Sequence, residues 1–334
     1  MGARQRLRVI SCGCGHQSTA LVVLATQGRL GVVDAVVWAN VGDDSEHPGT
    51  IRYAREVLAP FCAGAGLPFH EVSNIDADGN PVTLYEHMMR PESMSFPIPL
   101  RGSESGAPGS RSCTFDFKVK IIRDWLQANG ATADNPADVL IGFSTDESHR
   151  VGGRRNHPIE RAVFPLLDPD IDLSLSQCGQ VIRDAGLPLP PRSSCYFCPF
   201  HKVGTWAEMR RDDPGLFAQA VHVETTINQR RTARRCDLSG QRAEHDTTRN
   251  EYVFDAGTRE RLPLPPGRSA LCPECGGRFV VRTDGTWPDH QQAPRYLSSR
   301  RKPLALAIPE AGPSLFSDAI AGEIETCDDG GCFT

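Results

Sequence analysis

The segment Ser11-Cys12-Gly13-Cys14-Gly15-His16-Gln17-Ser18-Thr19 has the residue types and order of an anion site. It follows an apolar run (Leu7, Val9, Ile10) that predicts a first strand, and it precedes Ala20, Leu21, Val23 and Leu24, which predict a helix. Glycines let the backbone approach an anion, free N–H groups point at it, and the helix dipole favours its charge. An ordinary strand-to-helix turn carries similar glycines, so the loop needs companions before it reads as a site. The twelve cysteines supply candidates. Two pairs, Cys195/Cys198 and Cys272/Cys275, have Cys-x-x-Cys spacing, which in a chain of this length points to metal or redox chemistry.

The composition narrows the classes. Lysines and arginines number 36 against 41 aspartates and glutamates, a net charge of −5, so no global basic field advertises nucleic-acid binding. No apolar run reaches transmembrane length, and Met1 to Arg6 lacks a signal peptide's apolar segment. The expectation is a soluble, cytoplasmic chain with no membrane partner.

The elements that must position these residues alternate between strand and helix over the first 145 residues. Val32–Ala39 predicts a short apolar strand, Arg52–Gly64 a helix, Phe69–Val72 a strand, Phe117–Asn129 an amphipathic helix and Val139–Phe143 a buried strand. Short β-branched runs between helices imply a parallel sheet covered on both faces, with ligands beyond the carboxyl ends of its strands. Three segments occupy such ends: Ser11–Thr19, Asn40–Thr50 and Ser144–Arg150. Residues 101–112 are glycine- and serine-rich and suit a mobile lid; residues 202–235 read as helical. The expected organisation is an α/β domain over 1–235, a small inserted module over 236–292 and a cysteine-bearing C-terminal segment over 293–334.

Five ordered motifs together resemble the PP-loop family of adenine-nucleotide α-hydrolases, within it the phosphoadenosine phosphosulfate (PAPS) reductase-like branch with its phage-borne members. The loop at Ser11–Thr19 resembles that family's SxGGGxQST variant, with Cys14 in place of a glycine. Ala39–Thr50 looks like the second nucleotide signature, and Arg111–Lys120 (RSCTFDFKVK) resembles the C-T-x-x-[FW]-K-[VI] segment. Ile141–Arg150 and the Ser194-Cys195-Tyr196-Phe197-Cys198-Pro199-Phe200 run complete the set. The resemblance covers about residues 7–231 and 295–334, and implies a doubly wound, mostly parallel, Rossmann-like sheet. Residues 236–292 have no counterpart in the pattern.

That resemblance implies that the amides of Gly13 to Gly15, with Ser11, Gln17, Ser18 and Thr19, hold the phosphates of ATP or PAPS, and that Asn40, Gly42 and Asp43 line the adjacent strand end. Asp43 or Asp44 could support Mg²⁺ through water. Lys118, Asp146, Glu147 and Arg150, with His149, Arg154 and Arg155, would face the same pocket as substrate groups, or form an ordinary ion-pair network. Cys113, Cys195 and Cys198 are the candidate catalytic and metal thiolates, holding a [4Fe–4S] cluster or, alternatively, zinc; Cys178 is a fourth ligand or a buried helix residue. Cys332, with Cys327, sits in a tail like the nucleophile-bearing segment of sulfonucleotide reductases, though without its Glu-Cys-Gly-[IL]-His sequence.

Cys272-Pro273-Glu274-Cys275-Gly276-Gly277 has the form of a zinc-ribbon knuckle, with Cys236 as third ligand and His290 or His245 as fourth. The activity expected is ATP-dependent, AMP- and pyrophosphate-forming sulfur transfer to a nucleic acid (DNA or tRNA), with a sulfur donor such as a cysteine desulfurase. The alternatives are PAPS reduction with sulfite release, or a non-catalytic adaptor that senses a nucleotide or binds nucleic acid.

Overall fold

The computed structural model describes residues 6–91, 96–103, 106–153, 157–234, 236, 244–246, 251–255, 261–264, 269–272, 278–280, 282, 286 and 292–309. The chain forms two compact units: one contains Met1–His87 and Arg111–Tyr196, the other Met88–Ser110 and Phe197–Ala321. This division falls inside the Cys195/Cys198 motif and not at the composition change near residue 235.

The first unit is built on a five-stranded, all-parallel sheet. Its strands are β1 (Arg8–Cys12), β2 (Ala35–Asn40), β3 (Phe69–Ser73), β4 (Ala137–Ile141) and β5 (Glu160–Val163), in the spatial order β3-β2-β1-β4-β5. Strand period sends alternate residues to opposite faces. Ile10, Cys12, Val36, Trp38 and Leu140 join one core with Leu21 and Leu24 of helix α1 (His16–Thr26). Val9, Val37, Val139 and Ile141 join another with Ile122 and Leu126. Helices therefore cover both faces, compatible with a Rossmann-like doubly wound fold.

The helix after β2 begins as α2 (Pro48–Arg52), passes through a π-helical segment, Tyr53–Leu58, and continues as α3 (Ala59–Gly64). The expected helix over 117–129 is α4 (Lys120–Ala128), preceded by a π-helical segment, Phe115–Val119. α5 (Leu175–Asp184) starts at a Ser174/Gln177 capping box, in which each side chain satisfies the other residue's backbone N–H, and packs on α1. Cys178 is a buried core residue of this helix.

In the second unit the expected helical stretch is two helices, α6 (Val203–Asp212) and α7 (Pro214–Thr232). Pro214 lacks the N–H needed to continue α6, while the Asp213 side chain accepts from Leu216 N–H and caps α7. Arg101–Gly102, in the expected lid, pairs with Arg295–Tyr296. Glu244–Asp246, Glu251–Asp255 and Arg261–Leu264 form one small antiparallel sheet, and Ser269–Leu271 with Arg278–Val280 another. Among the described residues no helix is long and apolar enough to cross a membrane.

Candidate functional site

The strand order places the three segments anticipated as ligand-bearing beyond neighbouring strand ends: Ser11–Thr19 after β1, Asn40–Thr50 after β2, and Ser144–Arg150 after β4. From β1 the chain proceeds one way across the sheet to β2 and β3, while β4 and β5 lie on the other side. Such a reversal opens a crevice at the carboxyl ends, between β1 and β4.

The loop after β1 turns sharply. Cys14 takes a left-handed conformation (φ 57), where a glycine would be unstrained. Its side chain is fully buried in the α1-side core, so the thiol at the middle of the turn lies away from solvent. There its Sγ lies 3.8 Å from that of Cys12, and the Cys14 N–H donates to the Cys12 sulfur at 3.3 Å. Burial, followed by the Cys12 neighbour, pushes the Cys14 thiol well above its ordinary range. Hydrogen bonds from Cys14 draw Cys12 down, against its own burial.

Two loop amides expected at a phosphate have internal partners. Besides Cys14, the Gly15 N–H donates to the Ser18 hydroxyl at 3.2 Å. The first helical bond runs from Thr19 N–H to the Gly15 carbonyl, so the amides of His16, Gln17 and Ser18 lie ahead of the ladder. These three amides therefore carry no helical hydrogen bond. His16 has its pKa lowered by burial and then by Arg183, which favours a neutral imidazole.

Strand β4 closes on this turn. A Cβ on Gly142 would lie 2.9 Å from both the Gln17 carbonyl carbon and the Ser18 nitrogen. Just beyond, the Ser144 hydroxyl is buried with no hydrogen-bond partner; beyond β2, so is the hydroxyl of Thr50. Orphaned buried hydroxyls are costly and call for an explanation. Ser144 lies just beyond β4, and Thr50 lies within α2, in the segment that follows β2.

Several other anticipated site residues are held by the fold. Asn40 donates to Asp43 and Glu71 and accepts from Gly42 N–H. Asp43 forms a paired contact with Arg55 at 2.7 and 2.8 Å, and the Arg55 guanidinium, aided by Asn40, outweighs burial to hold its carboxyl below the usual range. Gly42 is obligatory at φ +121, where a Cβ would come within 2.4 Å of Thr83 Cβ. The Asp44 carboxylate accepts from Ser45 and Thr83. On the other side, Gln17 donates to Glu147, Glu147 pairs with Arg150, and Arg150 lies over the Phe143 ring at 4.5 Å. Asp146 accepts from Leu175 N–H at the start of α5.

Lys118 and Cys195 both reach the β2-end segment. The Lys118 ammonium lies 3.9 Å from a Glu46 carboxylate oxygen, with both side chains buried. Glu46 makes a β-bridge with Cys195, flanked by bonds from His47 N–H to the Ser194 carbonyl and from Tyr196 N–H to the Ser45 carbonyl. A Cβ on Gly15 would lie 3.8 Å from Ser193, so the Cys195 segment also borders the glycine loop. Glu46 was not anticipated: one acidic residue in a loop gives no sign that a distant lysine will pair with it.

Cys113 is half-buried at the start of the segment leading into α4, and Cys198 is half-buried in the second unit. Among the described residues no group of three His, Cys, Asp or Glu side chains is arranged to hold a metal ion. Cys275, His290, Cys327, Cys332, Arg154 and Arg155 lie outside the described residues, as does the side chain of His245. Cys236 and Cys272 are both buried, with Sγ atoms 3.6 Å apart.

No protein-family model matches the chain, and no curated protein matches it. The functional reading therefore rests on the geometry above and on the motifs it places together.

Proposed function

We propose that the first unit binds an adenine nucleotide in the β1/β4 crevice and acts as a PP-loop enzyme of the PAPS reductase-like type. Its chemistry, in this reading, is ATP-dependent sulfur transfer to a nucleic acid. The observation that carries the nucleotide part is the pair of orphaned, buried hydroxyls on Ser144 and Thr50, in the segments after β4 and β2, together with a glycine turn and helix start after β1 whose amides precede the helical ladder. A phosphate-bearing ligand fits this donor set, because hydrogen bonds from hydroxyls and amides to charged oxygens are worth about 1.5–3 kcal/mol each, roughly twice a neutral bond.

ATP, when bound, supplies the adenylyl group that activates an acceptor oxygen. The chain's own contribution is positional. Gly13 and the first-turn amides of α1 would hold phosphate oxygens, and Ser18 keeps the turn closed through its bond with Gly15 N–H. The Lys118 ammonium would offset anionic charge near the β2 end, where Glu46 already orients it. Cys195, bridged to Glu46 through its backbone, is the residue from which the sulfur-handling reading extends. The described residues do not assemble a three-ligand group, so no step of this reading runs through an iron–sulfur or zinc centre.

The test is a paired assay on the full chain. Pyrophosphate release from ATP, with sulfur appearing in tRNA or DNA nucleosides by mass spectrometry, supports the transferase reading. Sulfite release from PAPS without pyrophosphate release from ATP would replace it with sulfonucleotide reduction. Nucleic-acid binding with no turnover of either nucleotide would leave only an adaptor.

A further inference from the structure

The structure assigns a structural zinc site to the second unit: we propose that Cys236 and Cys272 are two thiolate ligands of one tetrahedral Zn²⁺. This is independent of the nucleotide reading, since neither cysteine belongs to the first unit.

Three observations converge. The two Sγ atoms come from residues 36 apart in sequence and lie 3.6 Å from each other, both side chains being almost wholly buried (2% and 1% exposed). A disulfide would place them at about 2.05 Å, so they are not bonded. Two thiolates at about 2.3 Å from a tetrahedral zinc are about 3.8 Å apart, close to the spacing observed.

The second observation is the register of the neighbouring hairpin. Ser269–Leu271 and Arg278–Val280 pair antiparallel, with Leu271 opposite Arg278. In sequence, the residues between these strands, 272–277, are the Cys-Pro-Glu-Cys-Gly-Gly run, of which Cys272 directly follows Leu271. Cys-x-x-Cys is the spacing of zinc-knuckle ligands, and Cys272 is the first thiol of this one.

The third is energetic. The hairpin has three residues in each strand, and the neighbouring three-stranded sheet has strands of three to five residues. Two-stranded pieces of this size are marginal in water without further support, and small modules commonly obtain it from a metal. Binding expels the two thiol protons to solvent and, because a preformed site is absent from an unfolded chain, contributes directly to folding. No electron transfer is involved, and a closed tetrahedral site has no open position for substrate.

The experiment is metal analysis of the full-length chain after dialysis against a chelator, compared with Cys236→Ser and Cys272→Ser. The expected result is bound zinc in the parent protein, with about one equivalent lost in each variant. Because either variant can misfold, the parent protein is also titrated with an organomercurial while a chromophoric chelator reads released zinc. Peptide mapping then identifies the modified thiols. Zinc released in step with modification of Cys236 and Cys272 supports the site. Zinc content unchanged in both variants, iron in place of zinc, or modification of the two thiols without metal release overturns it.

Discussion

Gly142 packs directly beneath the peptide that joins Gln17 to Ser18: a Cβ there would sit 2.9 Å from the Ser18 nitrogen. The end of one strand is thereby pressed against the helix start that follows its neighbour, and a single methyl group would have to move backbone. Gly142→Ala is expected to cost about 1–3 kcal/mol, the usual range for overpacking, and to weaken nucleotide binding about tenfold or more by displacing the first turn of α1. Gly64→Ala is the control. No atom lies within 4 Å of its added Cβ, so it is expected to be neutral or slightly stabilising. Chemical denaturation and calorimetric titration of both variants check the contrast; equal effects would contradict it.

Cys14 tests whether the departure from an all-glycine turn matters for the ligand. Its thiol is buried in the core and its backbone is left-handed. Cys14→Gly relieves backbone strain and removes a core contact, two opposing changes of about 1–2 kcal/mol each, so stability should shift little. Nucleotide affinity should stay within a few-fold of the parent value. Cys14→Val places a β-branched residue at positive φ and is expected to unfold at distinctly lower denaturant. A large affinity change in Cys14→Gly would show that the sulfur itself meets the ligand.

Lys118 and Glu46 form a buried pair at 3.9 Å. Lys118→Met leaves the Glu46 carboxylate buried without its ammonium and is expected to cost about 3 kcal/mol, the lower end for breaking such pairs at this separation. The double variant Lys118→Met/Glu46→Leu should recover most of that stability. If Lys118 also serves the substrate, the double variant will be stable but inactive. Recovery of activity along with stability would confine Lys118 to a structural role.

Much of this fold was legible because β2 and β4 are buried on both faces. VVDAVVWA and ADVLI declare buried parallel strands whatever surrounds them, and their ends mark where a ligand crevice lies. β5 was not legible: Glu-Arg-Ala-Val carries two charges, and its pairing is secured by Arg123 on Glu160 and Arg161 on Asp138, contacts between residues far apart in sequence. The site divides the same way. Glycine spacing and hydroxyls announced the turn after β1, whereas the satisfaction of Asn40 and Asp43 by Arg55 and Glu71 depends on β2 and β3 lying side by side. Composition could not show that the Cys14 side chain turns into the core, because that follows from the backbone conformation of one residue.

Glu224 gives the second unit a pH dependence whose sign can be stated. Its carboxylate accepts from Leu297 N–H at 2.7 Å and Leu304 N–H at 2.6 Å. Burial nevertheless outweighs these donors and pushes its pKa up to about 7, from 4.5. A carboxyl whose pKa is raised by folding binds its proton more tightly in the native state. This contribution is fully present below pH 4.5 and is lost as pH rises through about 7. Thermal unfolding between pH 5 and 8 should show stability falling as pH rises, with a shallower slope in Glu224→Gln. An identical slope in the variant would assign the dependence to other groups.

The central claim is that Ser144 and Thr50 keep their hydroxyls unsatisfied for a phosphate-bearing ligand, and the double variant Ser144→Ala/Thr50→Ala tests it most directly. Removing two orphaned hydroxyls should leave the ligand-free protein as stable as the parent or more stable, by up to about 1–2 kcal/mol, because no bond is lost. Calorimetric titration with ATP and with PAPS should at the same time show affinity for the bound nucleotide reduced about tenfold or more. Unchanged affinity in a well-folded double variant, or no binding of either nucleotide to the parent protein, would contradict the account.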